Sequence, residues 1–436
     1  MAVLLEIDNS ISKITGLTSA PFNRLRDLLS YQLDAQASFF SGKTYNRTRY
    51  CIDVRGNFAT GHLARVVDFL RKEKIEYTPR TRVHGPITKV NHGYKETIQP
   101  YPAQIAAAEF AITNRRAIVS MPTGSGKSLV IALIASKLNV RTLVIVPSLQ
   151  IKEQLKASLN AIFEDMDNIT VENIDSSKLA KVKDYNCLII DEAHHVAAKT
   201  YQKLNKNAWN GIKYRFFLTA TPFRNNSEET LLFEGIAGTQ VYTLPYAKAV
   251  KEGYICPIEA YYIELPKVET DAYTWAQVYS ELITNNTQRN LIIAKTLLNL
   301  SLSGKSALCL VKEIKHGEIL SKLTGIPFAN GQDETTRHYI KQFQDSQITT
   351  LIGTSGILGE GVDTEPCEYV IIAGLGKAKS AFMQQVGRTL RKYKDKESGK
   401  VILIRDASHK FLLRHFKEQC NILKDEYNVT LTKLEF

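Results

Sequence analysis

Residues 121–128 read Met121-Pro122-Thr123-Gly124-Ser125-Gly126-Lys127-Ser128. They follow a short apolar run, Ala117–Ser120, and open a helical stretch, Ser128–Leu138. A glycine-rich turn between a buried strand and a helix lets successive backbone N–H groups face inward as a nest, and the helix N-terminus adds partial positive charge. Such a loop suits the β- and γ-phosphates of a nucleotide. Thr123, Gly124, Ser125, Gly126, Lys127 and Ser128 are therefore the candidate phosphate cradle. Lys127 would neutralise phosphate charge, and the Ser128 hydroxyl would ligate Mg²⁺. Position 121 departs from the strict pattern, which has glycine where this chain has methionine. A second Gly-Lys-Ser, at 304–306, precedes a strand rather than a helix and reads as a loop.

Working outward, Ala117–Ser120, Thr142–Val146, Cys187–Ile190 and Phe216–Leu218 are continuous apolar runs, separated by helical stretches such as Leu149–Leu159. Strands buried on both faces read this way. A second series follows Pro257: Ala307–Val311, Thr349–Ile352, Tyr369–Ala373 and Val401–Ile404. Two successive βαβ series predict an α/β protein with two doubly wound parallel-sheet lobes. The boundaries fall at residues 96–247 for the first lobe and 248–436 for the second. A small α+β domain precedes them at 1–95. There Val3–Ile7 and Arg49–Val54 read as strands, and Pro21–Leu33 and His62–Glu73 as helices. Thr78 to Pro86 breaks periodicity and reads as a linker. Arg65, Arg71 and Lys72 lie off the apolar stripe of the second helix, where they are either a solvated face or phosphate contacts.

Further polar groups cluster at predicted strand ends. Asp191-Glu192-Ala193-His194 closes the Cys187–Ile190 run, 64 residues beyond Lys127. An acidic pair there lies at the upper edge of the sheet beside the phosphate loop. Asp191 would hold Mg²⁺, and Glu192 would orient and deprotonate an attacking water. His194 would link this site to Thr219-Ala220-Thr221, at the end of the next strand. His195 reads as incidental. In the second lobe Gln384, Arg388 and Arg391 lie within Met383–Arg391. The spacing of the arginines predicts one helical face, from which two guanidinium groups could stabilise phosphate charge. The run Ile352–Asp363 holds four glycines and two hydroxyls after a strand. It reads equally as a connector or as a close approach to phosphate. Tyr393–Lys400 reads as an exposed loop or hairpin, either a solvated connector or a contact with nucleic acid.

The chain has 436 residues, 44% hydrophobic and 23% charged, which excludes a largely disordered or fibrous protein. No apolar run is long enough for a membrane span, and residues 1–9 lack a secretory pattern. Six cysteines at scattered spacing form no CxxC and fit a reducing cytoplasm. The net charge is +12, half of it within residues 1–97, and nucleic acid is the commonest polyanionic partner.

In this order the motifs resemble those of the superfamily 2 helicases and translocases with a DEAH box. The resemblance spans residues 97–410. It implies tandem RecA-like lobes that hydrolyse ATP with Mg²⁺. Val146-Pro147-Ser148-Leu149-Gln150 is similar to the segment that contacts the tracked strand, which makes Pro147, Ser148 and Gln150 nucleic-acid candidates along with Thr354 and Ser355. Pro100-Tyr101-Pro102-Ala103-Gln104 looks like the segment whose glutamine reads adenine, so Gln104 joins the nucleotide set, as do Gly361 and Asp363. Tyr101 is the candidate stacking residue. The catalytic set is Lys127, Asp191, Glu192, Gln384, Arg388 and Arg391.

Size and domain order look most like bacteriophage branch-migration helicases of the UvsW type. That likeness implies forked or four-way DNA as substrate, recombination or replication proteins as partners, and the host cytoplasm as location, with a monomer favoured. The alternatives are a duplex translocase without strand separation, an RNA helicase, and a binding protein in which ATP only switches affinity.

Overall fold

The computed structural model describes residues 2–32, 48–95, 98–180, 182, 184–221, 227–358, 366–374, 379–394 and 396–434. The chain divides into two compact units, one of Met1–Met121 and Lys127–Thr243, the other of Pro122–Gly126 and Leu244–Phe436.

Among the described residues the first unit holds two larger sheets and a two-stranded pair. One has six parallel strands in the order Val241–Thr243, Arg116–Ser120, Tyr214–Thr219, Cys187–Ile190, Thr142–Val146, Ile169–Asn173. The four inner strands are the four apolar runs, each almost wholly buried. Helices Lys127–Leu138 and Leu149–Ile162 lie between successive strands. On one side of the sheet Ile118, Ile145, Leu188 and Phe217 pack with Trp209 and Phe233.

The other sheet is antiparallel in part, ordered Asn57–Ala59, Ile11–Thr15, Val3–Ile7, Tyr77–Thr81. Its last strand corrects the linker expected at Thr78–Pro86: Val3–Ile7 pairs in parallel with Tyr77–Thr81, with Leu5 opposite Pro79. Proline is tolerated because this is an edge strand, where one row of donors goes unused. The first helix is also shorter than expected. It runs Ser19–Leu28, and Ser30–Gln32 then pairs as a strand with Thr48–Tyr50, which itself ends three residues after it starts. Beyond the strand, residues 89–95 lie against the six-stranded domain. The Lys89 ammonium donates to Leu138 O at 2.8 Å, and His92 Nε2 lies 3.0 Å from Val140 O.

Two arginines, Arg215 fully buried and Arg116 partly so, join the small sheet to the larger one. Arg215, 0% exposed, begins an inner strand. Its guanidinium donates to Ser10 Oγ (2.7 Å), Asn205 Oδ1 (2.7 Å), Ile212 O (3.0 Å) and Trp209 O. Arg116 donates to Asn9 O and Ile236 O. Burial pulls both guanidinium pKa values down, and the Asp8 carboxylate opposes this at Arg215. Asp8 in turn accepts from Asn210 Nδ2 at 3.1 Å. Arg65, a candidate phosphate contact, instead bonds Glu234 through Nε at 2.7 Å. Arg71 and Lys72 pair with Asp68 on their own helix and remain largely exposed. Leu231, from helix Ser227–Ala237, completes the apolar core of the small sheet.

The second unit is one sheet of seven parallel strands: Phe328–Ala329, Thr350–Thr354, Ala307–Val311, Tyr369–Ile372, Gly399–Arg405, Ile258–Glu264, Leu431–Lys433. The helices between its strands include Thr287–Leu302 and Ile314–Thr324, and Lys410–Tyr427 follows Gly399–Arg405. Both parallel sheets are doubly wound in the manner expected. Among the described residues no helix is long and apolar enough to cross a membrane.

Arg215→Met should destabilise the first unit by about 3 kcal/mol, because it strands buried acceptors that a charged donor now satisfies. Thermal unfolding and limited proteolysis read this. An unchanged midpoint with no new cleavage between residues 82 and 95 would show that the arginine does not hold the small sheet in place.

Candidate active site

The polar groups singled out in the sequence gather at the carboxyl ends of adjacent strands. The loop after Arg116–Ser120 is tied to its neighbour by Met121 N donating to Thr219 O at 3.1 Å. Gly124 and Gly126 take φ of +83° and +81°, backbone that only glycine adopts without strain. Lys127 and Ser128 form the first turn of helix Lys127–Leu138. The Lys127 ammonium lies 3.4 Å from Met121 O.

One strand further along, Asp191 and Glu192 leave Cys187–Ile190. Asp191 is 9% exposed, and its Oδ1 accepts from the Glu192 N–H at 3.0 Å. Burial raises the Asp191 pKa, the Glu192 charge raises it further, and Lys127 opposes both. Glu192 responds in the other direction. Burial pushes its pKa up, but the Lys127 charge, the hydrogen bond with His194 and the charges of His194 and His195 together bring it below the ordinary carboxylate value. The two carboxylates are thus driven apart, Asp191 upward and Glu192 downward. Glu192 also sits at φ 46°, ψ 48°, in the left-handed region. A side chain held there stores about 1–3 kcal/mol of strain, which the surrounding structure must sustain.

His194 is 3% exposed. Its Nδ1 lies 3.3 Å from Glu192 Oε2 and 3.5 Å from Thr219 Oγ1, while the Thr221 N–H donates to Thr219 Oγ1 at 3.1 Å. The acidic box and the threonine motif are therefore in direct contact through one imidazole. His195, expected to be incidental, lies beside the site. Its ring stacks on that of His194 with centroids 4.1 Å apart, and only its adjacency to the box could have drawn attention to it.

Gln104 is buried near the start of helix Pro102–Asn114, and its Oε1 accepts from Tyr101 N–H at 2.8 Å. The Tyr101 side chain is partly exposed. Pro147, Ser148 and Gln150 follow the Thr142–Val146 strand. Ser148 Oγ caps the next helix by accepting from Ile151 N–H at 3.3 Å, and Gln150 is exposed.

In the second unit, Thr354 ends one strand and Ser355 opens a short helix. Gly361 and Asp363 lie outside the described residues. Gln384 is in helix Lys379–Val386. That helix corrects one expectation, since Arg388 and Arg391 do not share a helical face. The α-helix stops at Val386, Gly387–Thr389 forms a single 3-10 turn, and Arg391 lies beyond it. Gly387 is a poor helix former, and the Thr389 hydroxyl donates to Val386 O at 2.9 Å, which favours the tighter turn.

Two domain families match this sequence. One, described as type III restriction enzyme, res subunit, matches residues 97–185 and 169–224; the other, helicase conserved C-terminal domain, matches residues 286–393. Together they take in more than half of the chain, and they include every motif just located except the Gln384–Arg391 pattern's neighbours beyond residue 393.

The chain belongs to the superfamily 2 helicases.

Its curated relatives are distant. A helicase-named protein of a Sulfolobus islandicus filamentous virus is 27% identical over 373 residues, 72% of this chain and 65% of the relative. The DNA 3'-5' translocase XPB2 of Sulfurisphaera tokodaii is 25% identical, over 70% of this chain and 81% of its own length. The ATP-dependent DNA helicase uvsW of Enterobacteria phage T4 is 22% identical, over 69% of this chain and 67% of its own. The chain thus spans about two thirds of the first of these relatives. Among solved structures, S. cerevisiae Dbp5 bound to RNA and ADP BeF3 superposes with a TM-score of 0.55 at 14% identity, covering 78% of this chain and 91% of that one. That likeness establishes the tandem RecA-like fold of this helicase.

Glu192→Gly should raise the stability of the helicase by about 1 kcal/mol, since release of the left-handed strain and of the like charge beside Asp191 outweighs the lost contacts with Lys127 and His194 and the entropic cost of glycine. The thermal midpoint reads this. A lower midpoint than wild type would mean that the carboxylate's contacts outweigh the strain.

Proposed function

We propose that this helicase is an ATP-dependent DNA helicase that unwinds or branch-migrates forked and four-way DNA in recombination, replication or repair. The observation that carries the ATPase part is the meeting of Lys127, Asp191, Glu192, His194 and Thr219 at one edge of a parallel sheet. Thr123–Ser128 cradle the phosphates of ATP, and Gln104 holds the adenine. The Ser128 hydroxyl and the Asp191 carboxylate are hard oxygen donors of the kind Mg²⁺ takes, with phosphates and waters filling the remaining positions. Bound there, the ion would neutralise charge on the transferring phosphate. Glu192, kept ionised by Lys127 and His194, orients the attacking water and takes its proton.

His194 passes nucleotide state to Thr219 and Thr221. Arg388 and Arg391 supply positive charge to the leaving phosphates and Gln384 belongs to the same catalytic set, with Gly361 and Asp363 in the nucleotide set. Pro147, Ser148, Gln150, Thr354 and Ser355 contact the tracked strand. Residues 1–95 form the DNA-gripping domain, with 96–247 and 248–436 as the motor lobes.

DNA is favoured over RNA by the relatives named as a DNA helicase and a DNA translocase. The relative named as a translocase also favours a second reading, in which the motor moves along duplex without separating strands.

One panel of substrates tests both: blunt duplex, single strand, DNA fork, four-way junction and RNA fork, with ATP turnover and strand displacement measured together. Displacement on DNA fork and junction is expected, and Lys127→Ala or Glu192→Gln should each slow turnover by at least about 100-fold. Turnover on duplex with no displaced strand would replace the helicase by the translocase.

A further inference from the structure

Two stretches that stood out in the sequence have no place in the function above: the second Gly-Lys-Ser, at 304–306, and the lysine-rich segment 393–400. Although far apart in the chain, both line one cleft of about 490 Å³ within the second unit. Its position follows from the strands. Lys305 and Ser306 lead into Ala307–Val311, Glu368 leads into Tyr369–Ile372, and Lys400 is the second residue of Gly399–Arg405. The cleft therefore lies at the amino edge of the seven-stranded sheet. Thr354 and Ser355 mark the opposite edge.

Four lysines, at 305, 394, 396 and 400, line the cleft against two glutamates, 368 and 397. Glu368 takes two of the lysines at once, Lys400 at 2.8 Å and Lys305 at 3.4 Å. Lys396 is turned inward and donates to Arg391 O at 2.7 Å; burial lowers its pKa. Lys394 is exposed, its ammonium 5.0 Å from the centre of the Tyr393 ring. One carboxylate shared by two ammonium groups leaves the cleft electropositive, and the Tyr393 ring lines it beside them. Its lining suits an anionic polymer better than an apolar ligand. Spaced lysines beside an aromatic ring match successive phosphates with a base alongside.

We propose that this cleft binds a stretch of single-stranded nucleic-acid backbone, on the sheet edge opposite the family's strand-contacting motifs. The inference takes nucleic acid as the polymer from the function proposed above. A strand held there lies one hydrogen bond from the Arg391 backbone, through Lys396.

Lysine acetylation of the full chain, mapped by mass spectrometry, tests this without ATP turnover. An oligo-dT strand should protect Lys305 and Lys394, and inorganic phosphate at matched ionic strength should not. In parallel, a Lys305→Gln, Lys394→Gln double variant should flatten the salt dependence of oligo-dT binding. Two lost phosphate contacts reduce the log–log slope by roughly 1.4. Equal protection by inorganic phosphate would make this a free-anion site and overturn the assignment. So would protection elsewhere on the chain with Lys305 and Lys394 still reactive, or an unchanged slope. Because binding is read directly, a failure of strand displacement with the footprint intact would count against the helicase function alone.

Discussion

A parallel sheet covered by helices on both faces has only its strand ends to offer to solvent and ligands. Everything polar that the chain must do is forced to those ends. In the first unit this places two consecutive carboxylates, Asp191 and Glu192, where burial penalises both charges. They are tolerable because a lysine from the neighbouring loop and an imidazole two residues on share the cost unequally. The inequality gives the pair its chemical division of labour. A backbone turn in the left-handed region, needed to aim Glu192 toward Lys127 and His194, is sustained by the same packing.

The sequence was most legible where burial is most complete. Thr142–Val146, Cys187–Ile190 and Ala307–Val311 have the limits their apolar runs predict, because every residue in them is enclosed. Ile258–Glu264 was not legible: it alternates buried and exposed residues and carries glutamates at positions 259 and 264. Tyr77–Thr81 was misread because Pro79, a breaker in most settings, is harmless on an edge. The phosphate loop, acidic box and threonine motif were readable because their chemistry requires fixed residue types at strand ends. The exit of Arg391 from its helix was not, since a glycine and a threonine hydroxyl decide it locally.

Nor could periodicity foresee how the small sheet attaches. Arg215 stands among aromatic residues in Tyr214-Arg215-Phe216-Phe217, where a charge looks like a strand boundary, yet it is fully enclosed. Its partners are neutral: a serine hydroxyl, an asparagine amide and two carbonyls. Charged donors bonded to neutral acceptors avoid the paired desolvation of an ion pair, and they fix direction through several bonds at once. The small sheet is thereby part of the same compact unit as Asp191, Glu192 and His194.

The parallel pairing of Val3–Ile7 with Tyr77–Thr81 also bears on how the chain is made. During synthesis the first strand must wait for some seventy further residues before one of its two neighbours exists, and for Arg215 far longer before its docking partner does. Contacts so distant in sequence carry a large loop-closure cost and form late. The strand Val3–Ile7, although made before the six-stranded sheet, acquires its final anchorage only after most of the first unit has emerged.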